Sequence, residues 1–157
     1  MIAAIIMVHA DDYGLVLPPR IAPKQVVIIP IGKDNEEVTS LCNNFNKELN
    51  DNNIVSYIDN TEKSPGFKFA EAEVNGILVR VEIGARDLEN GTVTVARRDT
   101  REKIVINKEE LTVEYISNLL ETSIDNVSIK AGTNEKMDAL GRGEAVKAEA
   151  IVLLTSK

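Results

Sequence analysis

Residues 25–49 read QVVIIPIGKDNEEVTSLCNNFNKEL, and this stretch decides the fold class. Its first seven residues form an almost uninterrupted β-branched run, which is typical of a strand covered on both faces. From Asp34 the apolar period changes, with Asp34 as the expected N-cap and Glu37 three residues later. The recurring apolar positions predict one buried helix face: Val38, Leu41, Cys42, Phe45 and Leu49. A buried strand followed directly by an amphipathic helix predicts an α/β domain.

Downstream of this unit, further elements are predicted from caps and alternation. Residues 54–58 form a short strand, and Ser64 with Pro65 begins a helix that Asn75 and Gly76 end. Residues 77–83 alternate as a half-exposed strand would, with Ile77, Val79, Val81 and Ile83 on one face and Leu78, Arg80 and Glu82 on the other.

The following segments complete the predicted sheet. Residues 85–91 are a loop or a single turn, and 92–98 pair with 101–108 as a hairpin about Asp99 and Thr100. Residues 108–122 form a second long amphipathic helix with Leu111, Tyr115 and Leu119 inward. The predicted fold is α/β, with a mixed, mostly parallel five-stranded sheet covered by about three helices.

Both ends of the chain differ from this central pattern. Residues 1–8, MIAAIIMV, have the composition of a buried strand, and 15–17 of a second strand. The prolines of 18–24, PPRIAPK, predict an extended connector and a boundary, which gives units 1–23, 24–122 and 123–157. In the tail, 125–131 indicate a strand, 132–143 a glycine-rich connector and 144–154 either a strand or a helix. The tail has no assigned role.

Composition limits the function classes. The apolar runs are far shorter than the ~20 residues that cross a bilayer, so no membrane partner is expected. The one cysteine, Cys42, is expected to be a buried, inert thiol in a reducing, cytoplasmic setting. A net charge of -7 argues against nucleic-acid binding over the whole surface. A local basic cluster remains, formed by Arg97, Arg98, Arg101 and Lys103.

Linked motifs carry a resemblance to a known family. Residues 9–31, HADDYGLVLPPRIAPKQVVIIPI, resemble the end of class II motif 3 and the linker of prolyl-tRNA synthetases of the archaeal and eukaryotic type. Residues 64–103, which include SPGFKF and RVEIGARDL, resemble the middle of the same family's anticodon-binding domain. The resemblance covers about residues 1–122. It departs from the family pattern at Ala10, usually Gly or Ser, and at Ala72, often an aromatic residue.

The resemblance implies a tRNA-binding domain of an aminoacyl-tRNA synthetase. Its partners would be the anticodon arm of proline tRNA and a catalytic domain, of which 1–23 would be the end. The chain begins after the point where motif 3 supplies an ATP-binding arginine, so it is expected to be non-catalytic alone and to need no cofactor. ATP and Mg²⁺ would serve the full ligase in protein biosynthesis. Two alternatives stay open: one piece of an active ligase with its catalytic half in trans, or a non-enzymatic module that forms a homodimer.

The resemblance also implies a set of RNA contacts. The family's anticodon presents two adjacent guanines, and a guanine edge accepts a cation at O6 and N7 and a carboxylate at its N–H groups. The predicted tRNA-binding residues are Phe67, Lys68, Glu71, Arg80, Arg86, Arg97 and Arg98. Several have structural alternatives: Phe67 or Phe69 as a core residue, Arg80 with Glu82 as a cross-strand ion pair, and the arginines as a solvated hairpin tip. His9, Asp11 and Asp12 are too weak a pattern to assign a metal.

Overall fold

The computed structural model describes residues 2–32 and 35–121, which contain both helices and strands. Their bounds are α1 (Ile2–His9), β1 (Ala10–Asp11), β2 (Gly14–Leu15), β3 (Val26–Ile31), α2 (Glu36–Asp51), β4 (Ser56–Ile58), α3 (Pro65–Val74), β5 (Val79–Gly84), α4 (Ala85–Glu89), β6 (Thr92–Arg97), β7 (Lys103–Asn107), a 3₁₀ turn (Lys108–Glu110) and α5 (Val113–Leu119). The predicted tail elements at 125–131, 132–143 and 144–154 lie outside the described residues.

The main sheet has five strands in the order β4-β3-β5-β6-β7. Strand β3 pairs in parallel with both β4 and β5, whereas β6 is antiparallel to β5 and to β7. All strands except β6 therefore run in one direction, which confirms the predicted mixed, mostly parallel sheet. A separate hairpin, β1–β2, precedes it.

The strand register sorts side chains onto two faces. Alternate residues point to opposite sides of a strand, and paired residues share a side. One side, which we name the apolar face, carries Val26, Ile28, Val79, Val81, Val93, Val95 and Ile106. The other, which we name the charged face, carries one row of Val27, Arg80, Ala96 and Lys103 and a second row of Ile29, Glu82, Thr94 and Val105.

Helix α2 covers part of the apolar face and follows the predicted periodicity. Its buried residues are Val38, Cys42, Phe45 and Leu49, and Leu41 packs at their edge. The N-cap differs from the prediction: the Asn35 side chain accepts hydrogen bonds from the backbone N–H groups of Glu37 and Val38. Asp34 itself lies outside the described residues. Asn35 is one residue closer to the first turn, where an Asn oxygen reaches the second and third helical N–H groups.

Helix α3 packs on the charged face. The Ser64 hydroxyl accepts from Phe67 N–H, Pro65 occupies the first turn, and Gly76 adopts a φ of 70° just after the end of the helix, as expected. This packing corrects the prediction that β5 is half-exposed. Leu78 is buried in the core of the apolar face, and Glu82 is buried beneath Arg80 and Lys103 on the face that sequence alternation assigned to solvent.

The predicted long helix over 108–122 is wrong, because two shorter elements replace it. Asn107 and Glu110 form a capping box on the 3₁₀ turn, and the Thr112 hydroxyl then accepts from Tyr115 N–H to begin α5. Each side chain stabilises a new helix start. The 85–91 loop contains the five-residue helix α4.

The N-terminal segment also differs from its prediction, because residues 2–9 form helix α1 instead of a strand. Among the described residues no strand pairs with it, and a helix satisfies its own backbone hydrogen bonds. Its apolar side chains are partly uncovered, with Met7 83% exposed and Val8 74% exposed. No helix in the described ranges combines the length and apolarity needed to traverse a bilayer.

The connector 18–24 is a turn, which corrects the extended conformation predicted from its prolines. Ile21 and Ala22 donate their backbone N–H groups to Pro18 O at 3.0 and 3.1 Å. Leu17 and Ala22 are buried in the core of the apolar face. Because a proline oxygen can still accept hydrogen bonds, successive prolines do not prevent a turn.

Candidate nucleic-acid interface

A cavity of about 130 Å³ lies on the charged face, between α3 and the β6–β7 hairpin. Most of its lining side chains carry a charge, and we name it the charged cavity. It is lined by Ala72, Glu73, Ile77, Arg80, Ala96, Arg97, Arg98, Arg101 and Lys103. The register explains this gathering, since Arg80, Ala96 and Lys103 are direct neighbours across β5, β6 and β7.

Arg80 is the central cation of the charged cavity. Its Nε donates to Glu82 Oε1 at 3.0 Å, and its Nη1 donates to Glu73 Oε1 at 3.3 Å. Two carboxylates from different elements thus fix the plane of one guanidinium. Arg80 and Glu82 do form an ion pair, but both lie on β5, so the pair runs along one strand and not across strands as predicted; Arg80 also lines the cavity.

Phe69 supplies an aromatic ring beside the same cations. The Arg80 guanidinium carbon lies 4.3 Å from the ring centroid, and Lys103 Nζ lies 5.3 Å from it. The ring is half-buried and packs against the small core of Val27, Ile29, Ala72 and Ile77. It therefore combines the core role considered for it with a place at the edge of the charged face.

Glu82 lies beneath the two cations, with its side chain only 4% exposed. Lys103 Nζ contacts its Oε2 at 2.7 Å while Arg80 occupies its Oε1. A buried carboxylate that accepts from two cations keeps them in place without neutralising both. Glu73 differs because its side chain is 36% exposed, so its carboxylate also faces the solvent.

This arrangement has the groups that recognise a purine base. A guanidinium or ammonium donates to guanine O6 and N7, and a carboxylate accepts from the guanine N1–H and N2–H groups. An aromatic ring or a guanidinium plane stacks on an unpaired base. Arg80, Glu73 and Lys103 provide the polar groups, and Phe69 provides the ring.

The structure brings together three of the predicted RNA-binding residues. Arg80, Arg97 and Arg98 all line the charged cavity. Arg97 is paired with Asp99, and the hydrogen bond from Arg97 holds the pKa of Asp99 below its ordinary value. Arg98 is buried and donates to Asp11 and to the Glu73 backbone oxygen.

The three predicted residues on α3 lie outside this cavity. Phe67 is 56% exposed, and Lys63 Nζ lies 5.0 Å from its ring centroid. Glu71 accepts both of its hydrogen bonds from the same Lys63. Phe67, Glu71 and Lys63 thus lie on the outer surface of α3. There the Phe67 ring is available to a base, whereas the Glu71 carboxylate is already paired with Lys63.

Lys68 is enclosed, with only 6% of its side chain exposed. Its Nζ donates to Asp59 O at 2.7 Å and lies 3.7 Å from Asp59 Oδ1. Burial acts to raise the pKa of Asp59, but the hydrogen bonds from Thr61 and the charges of Lys68 and Lys63 together hold that pKa below its ordinary value. Lys68 therefore ties α3 to the segment after β4.

Arg86 is exposed on α4 and is not among the residues that line the charged cavity. In the described part of the chain, no group of three or more His, Cys, Asp or Glu side chains could hold a metal ion.

Sequence reasoning missed Glu73, named Lys103 only as part of the basic cluster and not among the tRNA-binding residues, and left Phe69 undecided against Phe67. One signal was available: Phe69 and Glu73 are four residues apart on a helix and so share a side of it. For Lys103, the available signal was the hairpin register, which aligns it with Ala96 and Arg80 once the turn at Asp99 is fixed.

Comparison with known proteins extends over most of the described residues. Residues 25–119 match the model of the family described as Anticodon binding domain. The proline–tRNA ligase of Azobacteroides pseudotrichonymphae is 47% identical over 138 residues, which is 83% of this chain and 27% of the ligase. That of Pyrococcus horikoshii is 49% identical over 123 residues, 77% of this chain and 25% of the ligase.

A solved structure gives the same result for the fold. The crystal structure of prolyl-tRNA synthetase from Cryptosporidium parvum, complexed with L-proline and AMP, superposes with a TM-score of 0.70 at 41% identity. The match covers 76% of this chain and 25% of that structure. The chain thus spans about a quarter of the length of these relatives. It belongs to the anticodon binding domain family, in the form that occurs in proline–tRNA ligases.

Proposed function

We propose that the charged cavity binds a guanine of the anticodon of proline tRNA. The observation that carries this proposal is the convergence of Arg80, Glu73 and Lys103 around one opening, with the Phe69 ring beside Arg80 and Lys103. Arg80 or Lys103 donates to O6 and N7, Glu73 accepts from the Watson–Crick N–H groups, and Phe69 packs on the base. The relatives' identity as proline–tRNA ligases supports the choice of tRNA.

The remaining predicted residues have separate places in the proposal. Phe67 stacks on a second base, since its ring is exposed on the outer surface of α3. Arg97 and Arg86 contact phosphate, and Glu71 accepts from RNA only when Lys63 releases it. Lys68 and Arg98 do not contact RNA in this proposal, because both side chains are buried; they stabilise the protein segments around the site.

Fluorescence anisotropy tests the cavity directly. The probe is a labelled anticodon stem-loop of proline tRNA, and the competitor carries adenines in place of its two adjacent guanines. We expect the chain to prefer the guanine form about 10- to 100-fold, since one bidentate base contact discriminates by ~1–3 kcal/mol. Equal affinity for both RNAs at matched moderate salt would overturn the proposal.

Matched variants assign the selectivity to the charged cavity. Arg80→Gln and Glu73→Gln should each lose most of the guanine preference. Lys47→Gln removes one positive charge from α2, where the Lys47 side chain is 80% exposed and forms an ion pair with the surface residue Asp51 at 3.4 Å. That control should lower affinity for both RNAs slightly and equally, because it changes only the general electrostatic attraction.

For the whole protein we propose ATP- and Mg²⁺-dependent aminoacylation of proline tRNA in the cytoplasm. We assign neither ATP nor Mg²⁺ to the described residues. We further propose a boundary near residue 24, with 1–23 as the end of a catalytic domain and 123–157 without an assigned role. The start of the family match at residue 25 supports this boundary.

The in-trans alternative predicts activity on mixing. Adding this chain to a separately produced catalytic part should restore charging of proline tRNA. Proline-dependent ATP–pyrophosphate exchange measures activation, and tRNA charging measures the contribution of the anticodon-binding part. Failure to restore charging with a part that activates proline by itself would exclude this alternative.

Self-association is a second candidate function, and the exposed apolar residues of α1 favour it. Ile6, Met7 and Val8 are 45%, 83% and 74% exposed. Uncovered apolar residues in a row commonly mark contact surfaces. Light scattering should show a dimer that Met7→Ser with Val8→Ser converts to a monomer; a monomer at high concentration in the unchanged chain would exclude this role.

A further inference from the structure

The hairpin β1–β2 contacts the wall of the charged cavity from outside. Asp11 and Gly14 are paired across this hairpin, and Asp11 Oδ1 also accepts from the N–H groups of Tyr13 and Gly14 at 2.8 and 3.1 Å. The Asp11 carboxylate is therefore oriented by its own turn. What it contacts outside the hairpin is Arg98.

Arg98 joins the hairpin to α3. Its Nη1 donates to Asp11 Oδ2 at 2.9 Å, and its Nη2 donates to Asp11 Oδ1. Its Nε donates to the backbone oxygen of Glu73 at 3.2 Å, and its side chain is 2% exposed. A bidentate pair of this kind fixes the guanidinium plane, so the position of Asp11 determines where Arg98 meets Glu73.

Close backbone packing reinforces this connection. A Cβ atom on Gly14 would lie 2.5 Å from Val74 Cα and 2.7 Å from Glu73 O, and Gly14 has a φ of 140°. A Cβ on Gly76 would lie 2.7 Å from Leu15 Cβ. The hairpin thus packs directly on the last turn of α3, which carries the Glu73 carboxylate into the charged cavity.

A second contact reaches the opposite wall. The Arg101 guanidinium carbon lies 3.6 Å from the centroid of the Tyr13 ring. Arg101 also has a φ of 60°, which a residue other than glycine adopts only when its surroundings hold it there. Tyr13 therefore contacts a second cavity cation on the turn between β6 and β7, three residues after Arg98.

We propose that the β1–β2 hairpin is a positioning element for base recognition: Asp11 acts through Arg98 on Glu73, and Tyr13 acts on Arg101. The RNA consequence rests on the function proposed for the charged cavity. Neither Asp11 nor Tyr13 needs to touch RNA. The hairpin fixes the spacing between two walls, and this spacing determines whether a purine edge meets Glu73 and the cations together.

The test compares Asp11→Asn with Asp12→Asn, a neighbouring exposed residue at the hairpin turn. Both variants remove one negative charge, which by general electrostatics should strengthen RNA binding. We expect Asp12→Asn to bind the proline anticodon stem-loop equally or more tightly, and Asp11→Asn to bind about 10-fold more weakly with reduced guanine preference. Equal behaviour of the two variants would overturn the proposal and leave the proposed function intact.

Two substitutions of Tyr13 provide an independent test, which does not depend on the stability of the Asp11 variant. Tyr13→Phe keeps the ring beneath Arg101 and should keep both affinity and guanine preference. Tyr13→Ala removes the ring and should reduce the affinity about threefold or more. If Tyr13→Phe and Tyr13→Ala bind alike, the second contact has no positioning role and the proposal fails in that part.

An NMR experiment without RNA tests this proposal separately from the proposed function. The Arg Nε–Hε signals and the backbone amides of Glu73 and Ala96 are measured by NMR in the unchanged chain and in both variants. Asp11→Asn should shift the signals of Arg98, Glu73 and Arg101, while Asp12→Asn leaves them in place. If the unchanged chain shows no RNA selectivity, these shifts still support the positioning role of the hairpin, and their absence overturns it.

Discussion

The two faces of the main sheet are built from the same strands but contain opposite chemistry. On the apolar face, Val26, Ile28, Val79, Val81 and Val93 are at most 1% exposed within one large core. On the charged face, a small apolar cluster lies under α3, and Arg80, Glu82 and Lys103 place three charged side chains beside it. The two faces therefore have different roles: the apolar face supplies most of the stability, and the charged face can keep polar groups beside a cavity.

The largest expected effect is a loss of stability on the apolar face. Ile28→Ala removes a fully buried side chain and should lower the free energy of unfolding by about 2–5 kcal/mol. Val105→Ala, on the exposed part of the charged face, should cost under about 1 kcal/mol. Urea denaturation measures both. Similar losses for the two variants would contradict the assignment of stability to the apolar face.

The reactivity of the Cys42 thiol measures the packing of the apolar face without any substitution. Burial raises the pKa of the Cys42 thiol to about 11. Relative to the unfolded chain, the reactive thiolate should therefore be about 100-fold rarer at pH 8. Alkylation by iodoacetamide, followed by mass spectrometry, should be slow in buffer and fast in urea. Rapid alkylation of the native chain would show that this part of the core opens.

On the charged face, Glu82→Gln should have a smaller effect on stability. It leaves Arg80 and Lys103 without their shared carboxylate and should cost about 1–3 kcal/mol. Asp51→Asn, which removes an exposed carboxylate from α2, should change stability by less than about 0.5 kcal/mol. Because the cavity becomes more positive, Glu82→Gln should also bind RNA at least as tightly at low salt, with a lower guanine preference. Tighter binding with unchanged preference would separate Glu82 from recognition.

The smallest predicted effect concerns Asp11 at the edge of the charged face. The hydrogen bonds from Arg98 hold its pKa at about 2, below its ordinary value. A carboxyl with a lowered folded-state pKa contributes stability above its unfolded pKa, near 4, and loses it as the pH falls towards 2. The difference in Tm between the unchanged chain and Asp11→Asn should stay nearly constant from pH 7 to about 4, shrink as the pH falls to 2 and vanish below it. A difference of undiminished size at pH 2 would require another cause.

Much of the central fold could be predicted because its signals are local. The β-branched run before α2, the Ser64 cap and the Asn75-Gly76 end each act within a few residues, and each predicted element is present. The errors occur where a partner decides the conformation. Residues 2–9 form a helix instead of a strand because, among the described residues, nothing pairs with them.

The site was less predictable, because its members come from distant segments. Arg80, Arg97 and Arg98 were predicted and do line the charged cavity, whereas Lys68 has the right charge but is buried against Asp59. A residue type indicates what a side chain can do. Burial and partners decide whether it is available to a ligand.

The sequence by itself determined the α/β class, the order of most elements and the resemblance to an anticodon-binding domain, since these depend on periodicity, capping and linked motifs. Only the tertiary structure decided that Glu73, Arg80 and Lys103 meet at one cavity and that the Phe69 ring lies beside the two cations. It also joined Asp11 to Arg98, 87 residues away in the chain. The physical reason is that strand register and helix packing, which bring these residues together, depend on the whole sheet and not on any one segment.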